Sequence, residues 1–96
     1  MQVTVLALIR AKAEHQDAVK EALLALVPPT HQEEGCLDYV LHQSSEDPAL
    51  FMFYENWKSR EELDQHLQTS YIQNFLRKTD QMLAEPVDLK LFEKIG

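Results

Sequence analysis

The sequence predicts an α+β fold: a four-stranded antiparallel sheet with helices on one face, in the ferredoxin-like order β-α-β-β-α-β. Three observations lead there. Hydrophobic spacing switches from period two to helical period and back along the chain. A polar, proline-containing connection, Ser44–Pro48, joins two alternating runs as a hairpin. The first and third strands are apolar on both faces, although helices can cover only one of them. The 96 residues leave room for a single domain, 1–96.

The elements follow in order. Val3–Ile9 reads as a strand, with Val3, Val5, Ala7 and Ile9 on one face and Thr4, Leu6, Leu8 and Arg10 on the other. Glu14–Val27 reads as a helix whose inner side carries Val19, Leu23, Leu26 and Val27. Pro28 and Pro29 lack amide donors and should end or kink it, with a kinked continuation through Thr30–Glu34 as the alternative. Gly35 fits a left-handed stop. Leu37–Gln43 alternates again, with Leu37, Tyr39 and Leu41 on one face. Leu50–Trp57 is the strongest strand and the most aromatic.

Ser59 with Glu62, and Ser70 with Gln73, have capping-box spacing, so the second helix should break in two. Its later apolar positions are Ile72, Phe75, Leu76, Met82 and Leu83, and Pro86 stops it. Val87–Phe92 alternates as the last strand. The sheet face left uncovered by helices calls for a partner, and a second copy is the simplest cover, so a homodimer is expected.

Composition excludes several classes. Nine Lys+Arg stand against 16 Asp+Glu, a net charge of −7, which disfavours nucleic acid and anionic membrane surfaces. Two glycines leave no phosphate-binding loop. The single cysteine, Cys36, cannot form an internal disulfide. With no signal-peptide pattern, a cytoplasmic location is expected. The apolar run Val3–Ile9 is too short to span a bilayer. The four histidines show no paired spacing on one helix, so no metal site is expected.

Three segments carry a resemblance: Phe53-Tyr54-Glu55-Asn56-Trp57, then Leu63-Asp64-Gln65-His66-Leu67-Gln68-Thr69, and earlier Glu34-Gly35-Cys36-Leu37. In this order the chain resembles the antibiotic biosynthesis monooxygenase superfamily, most closely its small quinol monooxygenase branch, over about Val3 to Phe92. The resemblance implies a dimeric α+β barrel. It also implies oxidation of a quinol or polyphenol by molecular oxygen without a cofactor. Haem-degrading relatives carry a haem-ligating His where Leu76 stands and a Trp where His66 stands, which argues against haem chemistry here. Polyketide-quinone relatives carry an Asn where Phe53 stands, while the Trp is retained as Trp57.

His66 shares a helix side with Leu63 and Leu67, so it should look inward. There a neutral imidazole could take a phenolic proton or hold an oxygen anion, or else bond backbone carbonyls near Thr69. Glu55 is the odd residue on the Phe53–Trp57 face. It is either a desolvated base with a raised pKa, or the partner of Arg10 or Lys90 on a neighbouring strand. These two residues are the expected catalytic pair. Trp57, Phe53 and Phe51 would form an aromatic wall for a planar substrate, or simple core. His42 would point into the same cavity or stay half-exposed on its strand, and Tyr71 and Phe75 would line the lid or pack the helices.

The leading expectation is a cofactor-independent monooxygenase acting on a small aromatic with O2. The alternatives are an isomerase or other proton-transfer enzyme on a small polar metabolite, phosphorylated or not, with Arg10, Lys90 or Arg77 as the available cations, and a non-catalytic dimer that binds an aromatic ligand.

Overall fold

In the computed structural model, which describes residues 1–96, the sheet is built on its two central strands, β1 (Val3–Arg10) and β3 (Leu50–Trp57). They pair antiparallel from Val3 opposite Trp57 to Arg10 opposite Leu50. Strand β2 (Cys36–Gln43) flanks β3, and β4 (Asp88–Phe92) flanks β1. The order is β2-β3-β1-β4, antiparallel throughout. This is the ferredoxin-like arrangement. Alternation puts Val5, Ala7, Ile9, Tyr39, Phe51, Phe53, Glu55 and Trp57 on one buried face. Val19, Leu23 and Leu26 of helix α1 (Gln16–His31) complete the core on that side. So do Leu63 of α2 (Arg60–Leu67), Ile72 and Phe75 of α3 (Ser70–Arg77), and Leu83 just beyond α4 (Thr79–Met82).

The structure decides one open expectation and changes two. At Pro28 and Pro29 the helix takes the continuation rather than the stop, and α1 runs through both to His31. Each proline frees a carbonyl one turn back, those of Leu24 and Ala25, and both residues are exposed, so water can meet the lost bonds. Gly35 is not left-handed, since no glycine has positive φ. It serves close approach instead. Gly35 is buried, its carbonyl accepts from the Lys58 amide at 2.9 Å, and a Cβ there would strike the Glu62 side chain. Leu37 does not join Tyr39 on the inner face. The register slips between Cys36 and Asp38, leaving Leu37 exposed outside the pairing.

The helix starts also differ in detail. Ser59 precedes α2 and bonds Glu62 side chain to side chain, and its hydroxyl caps no helix amide. Thr69, not Ser70, is the N-cap of α3, and Gln73 donates to the Leu67 carbonyl at 2.7 Å. The second helical segment is in three pieces rather than two. Its far end is tied to β1, because Ala84 N donates to Arg10 O at 2.8 Å and Lys12 N to Met82 O at 2.9 Å. No helix is long and apolar enough to cross a membrane.

Gly35→Ala should destabilise the fold by about 1–3 kcal/mol, because an added methyl must displace Glu62 near its backbone. Thermal denaturation reads this as a Tm drop of at least about 4 °C. An unchanged Tm would show that the turn relaxes freely.

Candidate active site

Between the inner sheet face and the helices lies a cavity of about 580 Å³, within the range of small-molecule sites. Its walls are Ala7 and Ile9 of β1, Tyr39 of β2, Phe53 and Glu55 of β3, Leu23 and Leu26 of α1, and His66, Ile72 and Phe75 of the later helices. Exposed Leu76, Asp80, Glu85, Pro86 and Leu89 mark its mouth. The lining contains no Lys or Arg. Tyr39 stacks on Phe53 with ring centroids 4.3 Å apart, so the two rings cover one another and give the sheet side an aromatic wall.

Glu55 stands beside that surface, 3% exposed. Its single side-chain hydrogen bond comes from the Trp57 indole N–H, which donates to Oε1 at 2.8 Å. Burial pushes the carboxyl up to about 7, partly offset by the Trp57 bond and helped by the nearby Glu33 charge. Arg10 and Lys90 do not reach it. Arg10 pairs with Asp47 and Glu85, and Lys90 with Asp88.

His66 faces inward as its spacing suggested, 2% exposed. Its ring lies 4.5 Å from Trp57 and 5.4 Å from Tyr39, centroid to centroid. Its Nδ1 is 2.8 Å from Glu33 Oε2, and the Tyr71 hydroxyl donates to that same oxygen. Burial lowers the His66 pKa, with Glu33 acting against the shift, so the ring is neutral at pH 7. With Glu33 as acceptor, the Nδ1 nitrogen carries the proton and Nε2 the lone pair. Nε2 and the second Glu55 oxygen make no protein hydrogen bond, yet the one fully buried, unpartnered side-chain polar atom in the chain is Thr30 Oγ1. Both proton acceptors are therefore open to the cavity their residues line.

This fold and these residues have relatives. The family model described as antibiotic biosynthesis monooxygenase matches residues 2–78. The chain belongs to the antibiotic biosynthesis monooxygenase family. It is 31% identical to Rv0793 of Mycobacterium tuberculosis, whose name carries a provisional monooxygenase assignment, over 88% of this chain and 83% of that one. It is 33% identical to sll1783 of Synechocystis over 77% of this chain, spanning about half (53%) of that longer protein. Among solved structures, PA3566 of Pseudomonas aeruginosa superposes with a TM-score of 0.94 at 33% identity, covering 99% of this chain and 95% of that one.

Within this family frame, the expected site residues separate. Glu55, His66, Phe53 and Phe75 reach the cavity. Trp57 does not: it is wholly buried behind Glu55 and serves as its donor, so it cannot stack on a ligand as it stands. Phe51 is core opposite Ile9 and lies outside the cavity lining. His42 lies on the other sheet face opposite Met52, exposed, with Nδ1 3.2 Å from Val40 O. Tyr71 is not part of the cavity lining, and holds Glu33 instead. Two site residues had no role in the sequence reading. Tyr39 was seen only as an inner strand position. Glu33 lay only within the possible continuation Thr30–Glu34, 33 residues from His66, where no spacing rule could connect them. Glu33 holds the His66 tautomer. Cys36 is inert, its thiol pushed up to about 11 by burial and by nearby carboxylates.

The Glu55 environment has a consequence for stability. Below pH 4.5 the group is protonated in both the folded and the unfolded chain. As pH rises from 4.5 to about 7, the unfolded chain loses the proton first and the fold loses stability, by about 3 kcal/mol in all. Glu55→Gln keeps an oxygen for Trp57 and removes the titration. It should be more stable than wild type at pH 8, with the gain shrinking towards pH 4. Urea denaturation at the two pH values would measure it, and an equal difference at both would refute the assignment.

Proposed function

We propose that the chain is a cofactor-independent monooxygenase that oxidises a neutral hydroquinone- or polyphenol-like aromatic with O2. One observation carries the reading: two unpartnered proton acceptors, His66 Nε2 and the free Glu55 oxygen, open onto a cavity whose sheet side carries the stacked Tyr39–Phe53 pair. A phenolic ring packs against the aromatic wall made by Tyr39 and Phe53. Removal of its O–H proton leaves an electron-rich phenolate, which reduces O2 directly. One oxygen atom ends on the ring and the other leaves as water, so a hydroquinone plus O2 gives a hydroxyquinone plus water. The protein positions the ring, excludes water and accepts the proton. Neutral His66 is the base at its Nε2, and Glu55 is a second acceptor once ionised.

The isomerase alternative on a phosphorylated metabolite needs a cation in the cavity. None lines it, and the carboxylates Glu55, Asp80 and Glu85 there repel anions. The Arg10 and Lys90 side chains are already paired.

The test is oxygen uptake with a panel of hydroquinones and catechols. Wild type should exceed the autoxidation background, and His66→Gln should lose at least about tenfold of the enzymatic rate, within the usual contribution of a general base. In wild type kcat/KM should rise with pH through about 7 as Glu55 ionises, and Glu55→Gln should lose that inflection. Uptake equal to background across the panel would refute the reading.

The second part of the proposal is a homodimer through the outer sheet face. All helices lie on the inner face, leaving Leu6, Leu8 and Met52 half-buried and Val40 and Tyr54 exposed at 46% and 40%. A polar cluster is already satisfied within this face: Gln2 and Thr4 donate to Asn56 Oδ1, and Asn56 donates to Asp38. What remains uncovered is an apolar stripe that a second copy matches by symmetry. Light scattering should give twice the 11.1 kDa chain mass, and Tyr54→Lys should shift the species to monomer. A monomeric wild type would sink this part.

A further inference from the structure

Glu33 stands between two spaces. His66 walls the apolar cavity, while Glu33 walls a separate polar cleft of about 460 Å³ with Lys58, Glu62, Gln65 and Thr69. The two linings share no residue, so the 2.8 Å contact from Nδ1 to Glu33 Oε2 bridges them. Exposure rises across that bridge, from 3% for the His66 side chain to 18% for Glu33. The Tyr71 hydroxyl fixes the bridging oxygen from the α3 side.

We propose that Glu33 is the proton port of the site: it acts through His66 and connects a closed, substrate-filled cavity to water in the polar cleft. The proposal rests on His66 being the base named above. A buried imidazole is a poor place to leave a positive charge. The geometry offers a way to avoid it. The substrate O–H bond breaks and its proton adds to Nε2. The Nδ1–H bond breaks and its proton adds to Glu33 Oε2. The ring stays neutral, and the charge that the phenolate gains is matched by the charge that Glu33 loses. When reduced oxygen takes a proton from Nε2 to leave as water, the Glu33 proton returns to Nδ1. The pair is reset with no net proton consumed. While protonated, Glu33 exchanges that proton with water on the cleft side. The substrate therefore need not leave a solvent channel through the cavity. Glu33 touches no substrate, so it is a positioning and proton-sharing residue.

The experiment compares Glu33→Gln and Glu33→Asp with wild type. Gln keeps a hydrogen-bonding group beside Nδ1 but cannot take its proton. Glu33→Gln should lower kcat at least tenfold with KM within twofold, and Glu33→Asp should recover most of the loss. A solvent-held rate in Glu33→Gln should also rise with imidazole or other small buffer bases added to the assay. A kcat within twofold of wild type in Glu33→Gln would overturn the proposal. A second readout needs no turnover: nitrogen-15 spectra of labelled His66 in wild type should show the proton on Nδ1 and a bare Nε2. The opposite tautomer would overturn the proposal even if the variants lost activity. If wild type oxidises nothing in the panel, the proposed function fails alone, and the tautomer still decides the relay.

Discussion

The site depends on the two-residue step of β3. Phe53, Glu55 and Trp57 project from one face at intervals of two, between sheet neighbours that are almost entirely apolar. That spacing does three things at once. Phe53 stacks with Tyr39 across the strand pair. Glu55 enters a space that would leave a carboxylate without solvation. Trp57, one step beyond, supplies the only donor. The rest of the inner face is fitted around this row, including the inward turn of α2 that brings His66 against the Trp57 ring.

Much of the fold was legible because it follows from period and breakers. The alternating runs became strands, the hairpin connection formed where Ser44–Pro48 lies, and the order of elements gave the sheet topology. His66 was legible for the same reason, since its helix face is set by Leu63 and Leu67. The errors cluster where tertiary contacts outvote local preference. Of the two outcomes left open at Pro28 and Pro29, the helix continues because the residues whose carbonyls lose a bond, Leu24 and Ala25, are exposed. Gly35 is needed for its missing Cβ, not for its backbone freedom, and nothing local distinguishes these uses.

The site was half legible. Burial of Glu55 followed from its neighbours, but its partner did not. Alternation alone cannot tell a side chain that faces a cavity from one that packs against the next residue along. Trp57 is the case in point, read as either substrate wall or core and found wholly buried. His42 failed differently, because proximity through a hairpin says nothing about which sheet face a residue takes. Glu33 was out of reach, since its meaning arises only when the turn after α1 meets α2.

The slip at Leu37 explains how the two ends of β2 can both serve the inner face. Cys36 lies opposite Trp57 and Tyr39 opposite Glu55, yet they are three residues apart, an odd number in a structure that repeats every two. In an unbroken strand one of them would point away. The extra residue acts as a phase dislocation. It uncouples the end of the strand fixed by the Glu33–Gly35 turn from the end fixed by the hairpin. Each half can then be in step with its own neighbours. A deletion or insertion of one residue anywhere in β2 would thus be felt as a change of parity, turning either the Tyr39 ring or the turn that carries Glu33 out of the site.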